Sequence, residues 1–194
     1  MIGNDEIRVS VATLSRKKQL AFALLVLERM MPSLIAFSKD TGFEESCYLK
    51  AKDAAWAALQ NGSVDQSLSD ACLRGVPDTE DYSQELISYA LNAALATNDI
   101  IKFTQDGFAK HITNVITLAG DSLYLYLSGL EDSVASSSEE DSLIGSHPLM
   151  KEENRREEAD LSFLAKLPEQ LTDEAILSLR ARADAHGPLF PPTL

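Results

Sequence analysis

The sequence contains few of the residues that build disulfide frameworks, metal sites and catalytic centres. Its 194 residues include only two cysteines and three histidines. Cys47 and Cys72 are too few for a disulfide framework, and their spacing alone cannot place the two thiols together. The histidines (His111, His147 and His186) lie in three separate segments, without a Glu-x-x-His, His-Glu-x-x-His or close Cys/His pattern. We therefore expect no metal site, and we expect His111 to be a hydrogen-bonded structural residue.

Positive charge is also scarce in this chain. Lys and Arg number 17 against 30 Asp and Glu, which gives a net charge of −13 and a pI near 4.6. Nucleic acids and anionic membranes attract basic surfaces, so we expect the protein to bind neither. The glycine-rich phosphate and dinucleotide motifs and the Gly-x-Ser-x-Gly elbow are missing from the sequence. These absences predict that the protein uses no cofactor and favour a non-enzymatic function.

One stretch is continuously hydrophobic. Every residue from Leu20 to Leu27 is apolar, and Arg16, Lys17 and Lys18 precede it, as in a secretory signal. However, the run has no small-residue cleavage site and is shorter than the roughly 20 residues of a membrane span. We expect a cytoplasmic protein in which this stretch is a buried helix.

Apolar residues recur at helical spacing along most of the chain, which predicts a single all-α domain over residues 1–194. We expect about seven helices around a central rod at Leu20–Phe43, with its C-terminal cap at Gly42. Pro32 should bend this rod. Two long helices, one beginning at Asp78 or Thr79 and one beginning near Phe108, should pair antiparallel across a short turn.

The last third of the chain is more polar. The stretch 133–146 is rich in serine and acid, so we expect a mobile loop there. A helix that begins at Pro148 has almost wholly charged first turns, which could stand in solvent through i,i+4 pairs such as Glu152–Arg156. Residues 188–194 form a proline-rich tail.

Five residues are candidates for a site because they place charge or polarity on apolar helices: Glu28, Arg29, Lys52, Asp53 and Trp56. Charges in such positions are unfavourable unless they are paired or hydrated. One interpretation is a structural ion-pair network in which Arg29 bonds to Glu28, to Asp53 or to the carbonyl that Pro32 frees. The alternative is a site for a small anionic or polar ligand, with Arg29 and Lys52 as donors.

The same region carries a resemblance to a known family. The chain resembles the YjaG-like family, bacterial proteins assigned only to a domain of unknown function, in these residues: Glu28-Arg29-Met30, Pro32, Phe37, Thr41-Gly42-Phe43, Tyr48, Asp53 and Trp56. The region around Pro77, Asp81 and Tyr82 and the charged helix after Pro148 also run parallel to it. The resemblance implies an all-helical bundle from a bacterial cytoplasm and no assigned activity.

Two functions therefore remain open. The first is a non-catalytic interaction or regulatory module that binds a protein partner or self-associates, for example as an isologous dimer. The second is a small-ligand-binding protein or small enzyme with a site around Glu28, Arg29, Asp53 and Trp56. Mutual salt bridges among these side chains would favour the first function, and a concave, hydrated pocket would favour the second.

Overall fold

The computed structural model describes residues 2–130 and 137–191, and this part of the chain is a single all-α domain. Most of these helices follow one another with short connections, the segment 75–86 between the fourth and the fifth being longer, and no strand occurs within the described residues. The helices of this part number nine rather than about seven, with these bounds: α1 (Ile2–Ala12), α2 (Arg16–Thr41), α3 (Ser46–Asn61), α4 (Gln66–Arg74), α5 (Ile87–Asp106), α6 (Lys110–Leu130), α7 (Ser137–Ser146), α8 (Pro148–Lys166) and α9 (Asp173–His186).

Helix α2 is the central rod of the fold, as its apolar run predicts. All residues from Ala21 to Leu27 are fully buried, and α2 packs against α5, α6, α3, α8 and α9. The helix continues through Pro32 and ends at Gly42, whose φ of 75° is left-handed. By length and composition α2 could cross a membrane, but 78% of its most apolar window is buried inside the fold. It is covered by its neighbouring helices, as core helices are.

Helices α5 and α6 form the expected long pair, joined at Gly107, but α5 begins later than predicted. Its first residue is Ile87, because Asp78 closes a turn instead of starting a helix. The Asp78 carboxylate accepts from the Glu80 N–H at 2.9 Å, and the Asp78 carbonyl accepts from the Asp81 N–H. Local side-chain bonds of this kind compete with helix formation.

The serine- and acid-rich stretch contains a helix, so the predicted loop at 133–146 is wrong for residues 137–146. Helix α7 covers Ser137–Ser146 and packs on α6 and α8, while residues 133–136 lie outside the described residues. Ile144, only 2% exposed, ties this short helix to the core. A buried aliphatic side chain thus holds in place a segment whose composition predicted a mobile, solvent-exposed loop.

The C-terminal segment packs back onto the bundle. The Leu189 N–H donates to the carbonyl of Arg29 at 2.8 Å. The Phe190 ring lies 4.5 Å from Tyr126 and 4.9 Å from Tyr89, and only 3% of Phe190 is exposed. Residues 188–191 therefore cover the central helices, and residues 192–194 lie outside the described residues.

Candidate functional site

Three of the candidate residues meet between α2 and α3, and we call Glu28, Lys52 and Trp56 the Glu28 cluster. Lys52 and Trp56 lie one turn apart on α3, so both reach the same point on α2. Lys52 Nζ is 2.8 Å from Glu28 Oε2, and Trp56 Nε1 donates to Glu28 Oε1 at 2.8 Å. Each oxygen of the Glu28 carboxylate therefore already has a hydrogen-bond donor from the protein.

Asp53 belongs to the surface beside this cluster. Its side chain is 68% exposed, and its Oδ1 lies 4.0 Å from Nη1 of Arg180 on α9. The Arg180 guanidinium also lies over the Trp56 ring, 5.1 Å from the centroid. Exposed ion pairs of this length contribute little, so the cation–π contact is the larger part of this link between α3 and α9.

Arg29 points away from these residues and into the core, where it is 1% exposed. Its Nε donates to Glu153 Oε1 at 2.8 Å, and its Nη1 donates to Asp160 Oδ2 at 2.9 Å. The same Nη1 donates to the carbonyl of Leu25 at 3.1 Å. The expectation that Arg29 pairs with Glu28 or Asp53 is therefore wrong, because its carboxylate partners come from α8. The backbone carbonyl that it bonds is that of Leu25, and not the one that Pro32 was expected to free.

The partners of Arg29 lie in the segment that we expected to stand in solvent. Glu153, Glu157 and Asp160 are 4%, 3% and 0% exposed. They follow one another at i, i+4 and i+7, and Leu164 continues the same stripe into the apolar core. We call Arg29 and these three acids the Arg29 cluster. The expected Glu152–Arg156 pair is present at 3.3 Å on the outer face of α8.

Helices α8 and α9 supply further basic side chains at the edge of the Arg29 cluster. Arg182 Nε donates to Asp160 Oδ1 at 2.6 Å, and His186 Nε2 lies 3.5 Å from the same oxygen. Arg156 Nη1 lies 3.7 Å from Glu153 Oε2. Because Arg156 and Arg182 are partly buried, their attraction to the acids is screened less than at the surface.

Burial and the clustered charges change the protonation of several members. Burial, together with the charge of Glu153, raises the pKa of Glu157 to about 8, against the opposing effect of Arg29 and Arg8. Glu157 Oε2 is buried without a hydrogen-bond partner. Glu157 therefore holds a proton at neutral pH, which limits the negative charge that Arg29 and the outer cations must balance.

The pKa values of Arg29 and His186 shift in opposite directions. Burial alone would lower the pKa of Arg29, but the charges of Glu153 and Asp160 outweigh it and raise the pKa. Burial lowers the pKa of His186, and the nearby arginines act in the same direction, against the attraction of Asp160. His186 is therefore largely neutral at pH 7, while Arg29 stays charged.

His111 has the hydrogen-bonded environment that the sequence predicts. Its Nδ1 lies 2.7 Å from Asp99 Oδ1, and its Nε2 lies 3.0 Å from Asp106 Oδ2. These contacts join the end of α5 to the start of α6. Among the described residues, no group of three or more His, Cys, Asp and Glu is arranged to hold a metal ion.

One pattern in the sequence does indicate that the acids of the Arg29 cluster are buried. It is easily missed, because the residues around these acids are also charged. Positions 153, 157, 160 and 164 have the spacing of a buried helix face. Three acids at such positions indicate a buried basic partner when an arginine also interrupts a fully apolar helix.

Comparisons with known proteins agree with this helical architecture and assign no activity. No curated protein matches the chain. Among solved structures, the crystal structure of a DUF416 family protein from Shewanella baltica OS155 matches with a TM-score of 0.82 and 18% identity, over 92% of this chain and 93% of that one. At this identity the likeness concerns the fold alone. The family model described as "Protein of unknown function (DUF416)" matches residues 6–188. The chain therefore belongs to the DUF416 family, whose function is unknown.

Proposed function

We propose that this protein is a non-catalytic helical interaction or regulatory module of the bacterial cytoplasm, and that it self-associates. The pairing of Arg29 inside the core is the observation that supports this proposal most. Its guanidinium bonds to Glu153, Asp160 and a backbone carbonyl, and only 1% of the residue is exposed. A cation that is bonded and buried in this way has little capacity left for a ligand.

Exposed leucines on two neighbouring helices support a protein-contact surface. Leu125 and Leu130 of α6 are 45% and 58% exposed, and Leu143 of α7, which packs on α6, is 49% exposed. Exposed apolar side chains on two helices that pack together provide apolar area that a second copy of the chain could cover. The net charge of −13 makes two copies repel, so their association should strengthen as salt screens the charge.

Sedimentation velocity over a concentration series, at low and at high salt, tests self-association. We expect a reversible dimer that is more abundant at high salt. Leu130→Asp should weaken it, whereas Leu177→Asp, at a 67% exposed leucine on α9, should leave it unchanged. A protein that stays monomeric at high micromolar concentration in both salts would overturn the self-association.

The competing ligand-binding function now depends on the Glu28 cluster. The side chains of Glu28 and Lys52 are 20% and 18% exposed, so water reaches both. A metabolite thermal-shift panel on the wild type, on Lys52→Met and on the control Lys151→Met distinguishes the two functions. We expect no metabolite to stabilise the wild type. A stabilisation that Lys52→Met removes and Lys151→Met keeps would favour ligand binding.

We also propose that the chain is a YjaG-like member of its family. The motif that carries this resemblance runs from Glu28 to Trp56, and its two end residues are hydrogen bonded to each other. The motif thus includes residues that join α2 to α3. This resemblance supports the proposed bacterial source and the proposed cytoplasmic location.

A further inference from the structure

The segment that follows α9 places an aromatic side chain between two tyrosines of the central helix pair. The Phe190 ring stacks on Tyr126 of α6 at a centroid distance of 4.5 Å and meets Tyr89 of α5 edge-on at 4.9 Å. We call the surface that the two tyrosine rings form the aromatic groove. Leu189 and Phe190 are each 3% exposed, although residues 187–191 form no helix. Side-chain burial in this groove therefore holds the segment on the bundle.

Backbone hydrogen bonds also hold the segment along the groove. The Leu189 N–H donates to the carbonyl of Arg29 at 2.8 Å, and Arg156 Nη1 donates to the carbonyl of Pro188 at 3.1 Å. Docked extended peptides are recognised in the same way, by main-chain hydrogen bonds and by pockets for side chains. Pro188 and Pro191 stiffen the segment, which lowers the entropy lost on docking. The groove thus has the features of a peptide-binding site that the chain itself occupies.

One residue joins this docked segment to the body of the fold. Helix α9 ends at His186, and Gly187 follows with a φ of 68°, a conformation that glycine adopts without strain. A change of backbone angles at Gly187 would therefore be sufficient to redirect the segment. From Gly187 to Phe190 the extended chain reaches about 10 Å at most, so a second groove must lie this close to receive it.

The exposed leucines of α6 adjoin the aromatic groove. Leu130, which is 58% exposed, lies four residues after Tyr126 on the same helix. Residues four apart share one face of a helix. Two copies of the chain that meet at Leu130 would therefore bring their aromatic grooves close to each other, as the short segment requires.

We propose that the aromatic groove is the docking site for residues 187–191 of a second copy of the chain. This inference rests on the proposed self-association, for which it names the contact. In the monomer the chain's own segment occupies the groove, and in the dimer the two copies exchange their segments. Each Phe190 makes the same contacts in both states. The exposed leucines beside the groove, and not Phe190, therefore determine how much dimer the wild type forms.

A mixture of two variants with complementary defects tests the exchange. Phe190→Ala has an intact groove and a defective segment, whereas Tyr126→Ala has an intact segment and a defective groove. Neither variant can form the full contact within one chain or in its own dimer. In the mixed dimer, Phe190 of the second variant enters the intact groove of the first. In sedimentation velocity we expect the mixture to dimerise about tenfold more tightly than either variant alone, as for a buried aromatic anchor.

The wild type mixed with Phe190→Ala is the matched control. Its segment would leave one intact groove to enter another, so this mixture should show no comparable gain. Circular dichroism should show that both variants keep the helical content of the wild type. If Tyr126→Ala does not fold, Tyr89→Ala supplies the defective groove, because Tyr89 is the other aromatic contact of Phe190.

The outcomes separate the exchange from self-association itself. If the wild type dimerises but the mixture of defective variants gains nothing, the exchange is overturned and self-association stands. If neither the wild type nor the mixture dimerises, both are overturned. A mixture that dimerises while the wild type stays monomeric supports docking in the aromatic groove and refutes self-association of the wild type.

Discussion

Replacing Arg29 by alanine should destabilise the protein severely. The change removes the contacts of the guanidinium with two carboxylates, at 2.7, 2.8 and 2.9 Å, and leaves Glu153 and Asp160 buried without their central cation. Breaking a buried ion pair from one side costs about 3–5 kcal/mol. Part of this loss is relieved because Arg182 still bonds to Asp160 at 2.6 Å. We therefore expect the free energy of unfolding to fall by about 3 kcal/mol in urea melts at pH 7.

Arg180→Ala is the matched control for this experiment. Arg180 also contacts a carboxylate and an aromatic ring, but its side chain is 44% exposed and 4.0 Å from Asp53. Its loss should cost no more than about 1 kcal/mol. A change below about 0.5 kcal/mol for Arg29→Ala would refute the structural role, because strained ligand sites often gain stability when a charge is removed.

Three further predictions concern Glu157, His111 and the stretch 133–146. The pKa of Glu157 is 4.5 in the unfolded chain and about 8 in the folded protein. Between these two pH values the folded state binds the proton more tightly, so the free energy of unfolding falls as pH rises, by up to about 1.4 kcal/mol per pH unit. Urea melts of Glu157→Gln between these pH values should no longer show this decrease in the free energy of unfolding. A pH profile equal to that of the wild type would contradict the raised pKa of Glu157. His111→Ala should lower stability by about 1–3 kcal/mol, since Asp99 and Asp106 both lose a partner, and thermal melts with no shift would exclude the bridge. Limited proteolysis should cut first within residues 133–136, ahead of α7, and leave both fragments associated, whereas first cuts in α2 would contradict a buried central rod.

The helices that the sequence predicted well are those whose signals are local. An unbroken apolar run was sufficient to identify α2 as the central rod. Helix caps are also local features: at the start of α9, the Thr172 hydroxyl accepts a hydrogen bond from the Ala175 N–H at 3.2 Å. Asp65, which accepts from the Ser67 N–H at 2.8 Å, caps α4 in the same way. Such features depend on residues within one turn of each other.

The carboxylate partners of Arg29 could not be predicted from neighbouring residues, because they lie 124 and 131 residues further along the chain. Taken alone, the charged start of α8 could be exposed to solvent on every face. Only its packing against α2, which carries the buried Arg29, shows which of its acids lie in the core. Tertiary contact, and not composition, decides whether a charged or reactive residue is buried.

A double-mutant cycle between Arg29 and Asp160 tests most directly whether the charges of this fold neutralise each other inside the core. The variants are Arg29→Met, Asp160→Asn and the double substitution, measured by urea unfolding. We predict that the two losses are not additive, with a coupling energy of about 1–3 kcal/mol for groups 2.9 Å apart. Losses that add within about 0.3 kcal/mol would show that the two residues do not interact, and would contradict internal neutralisation.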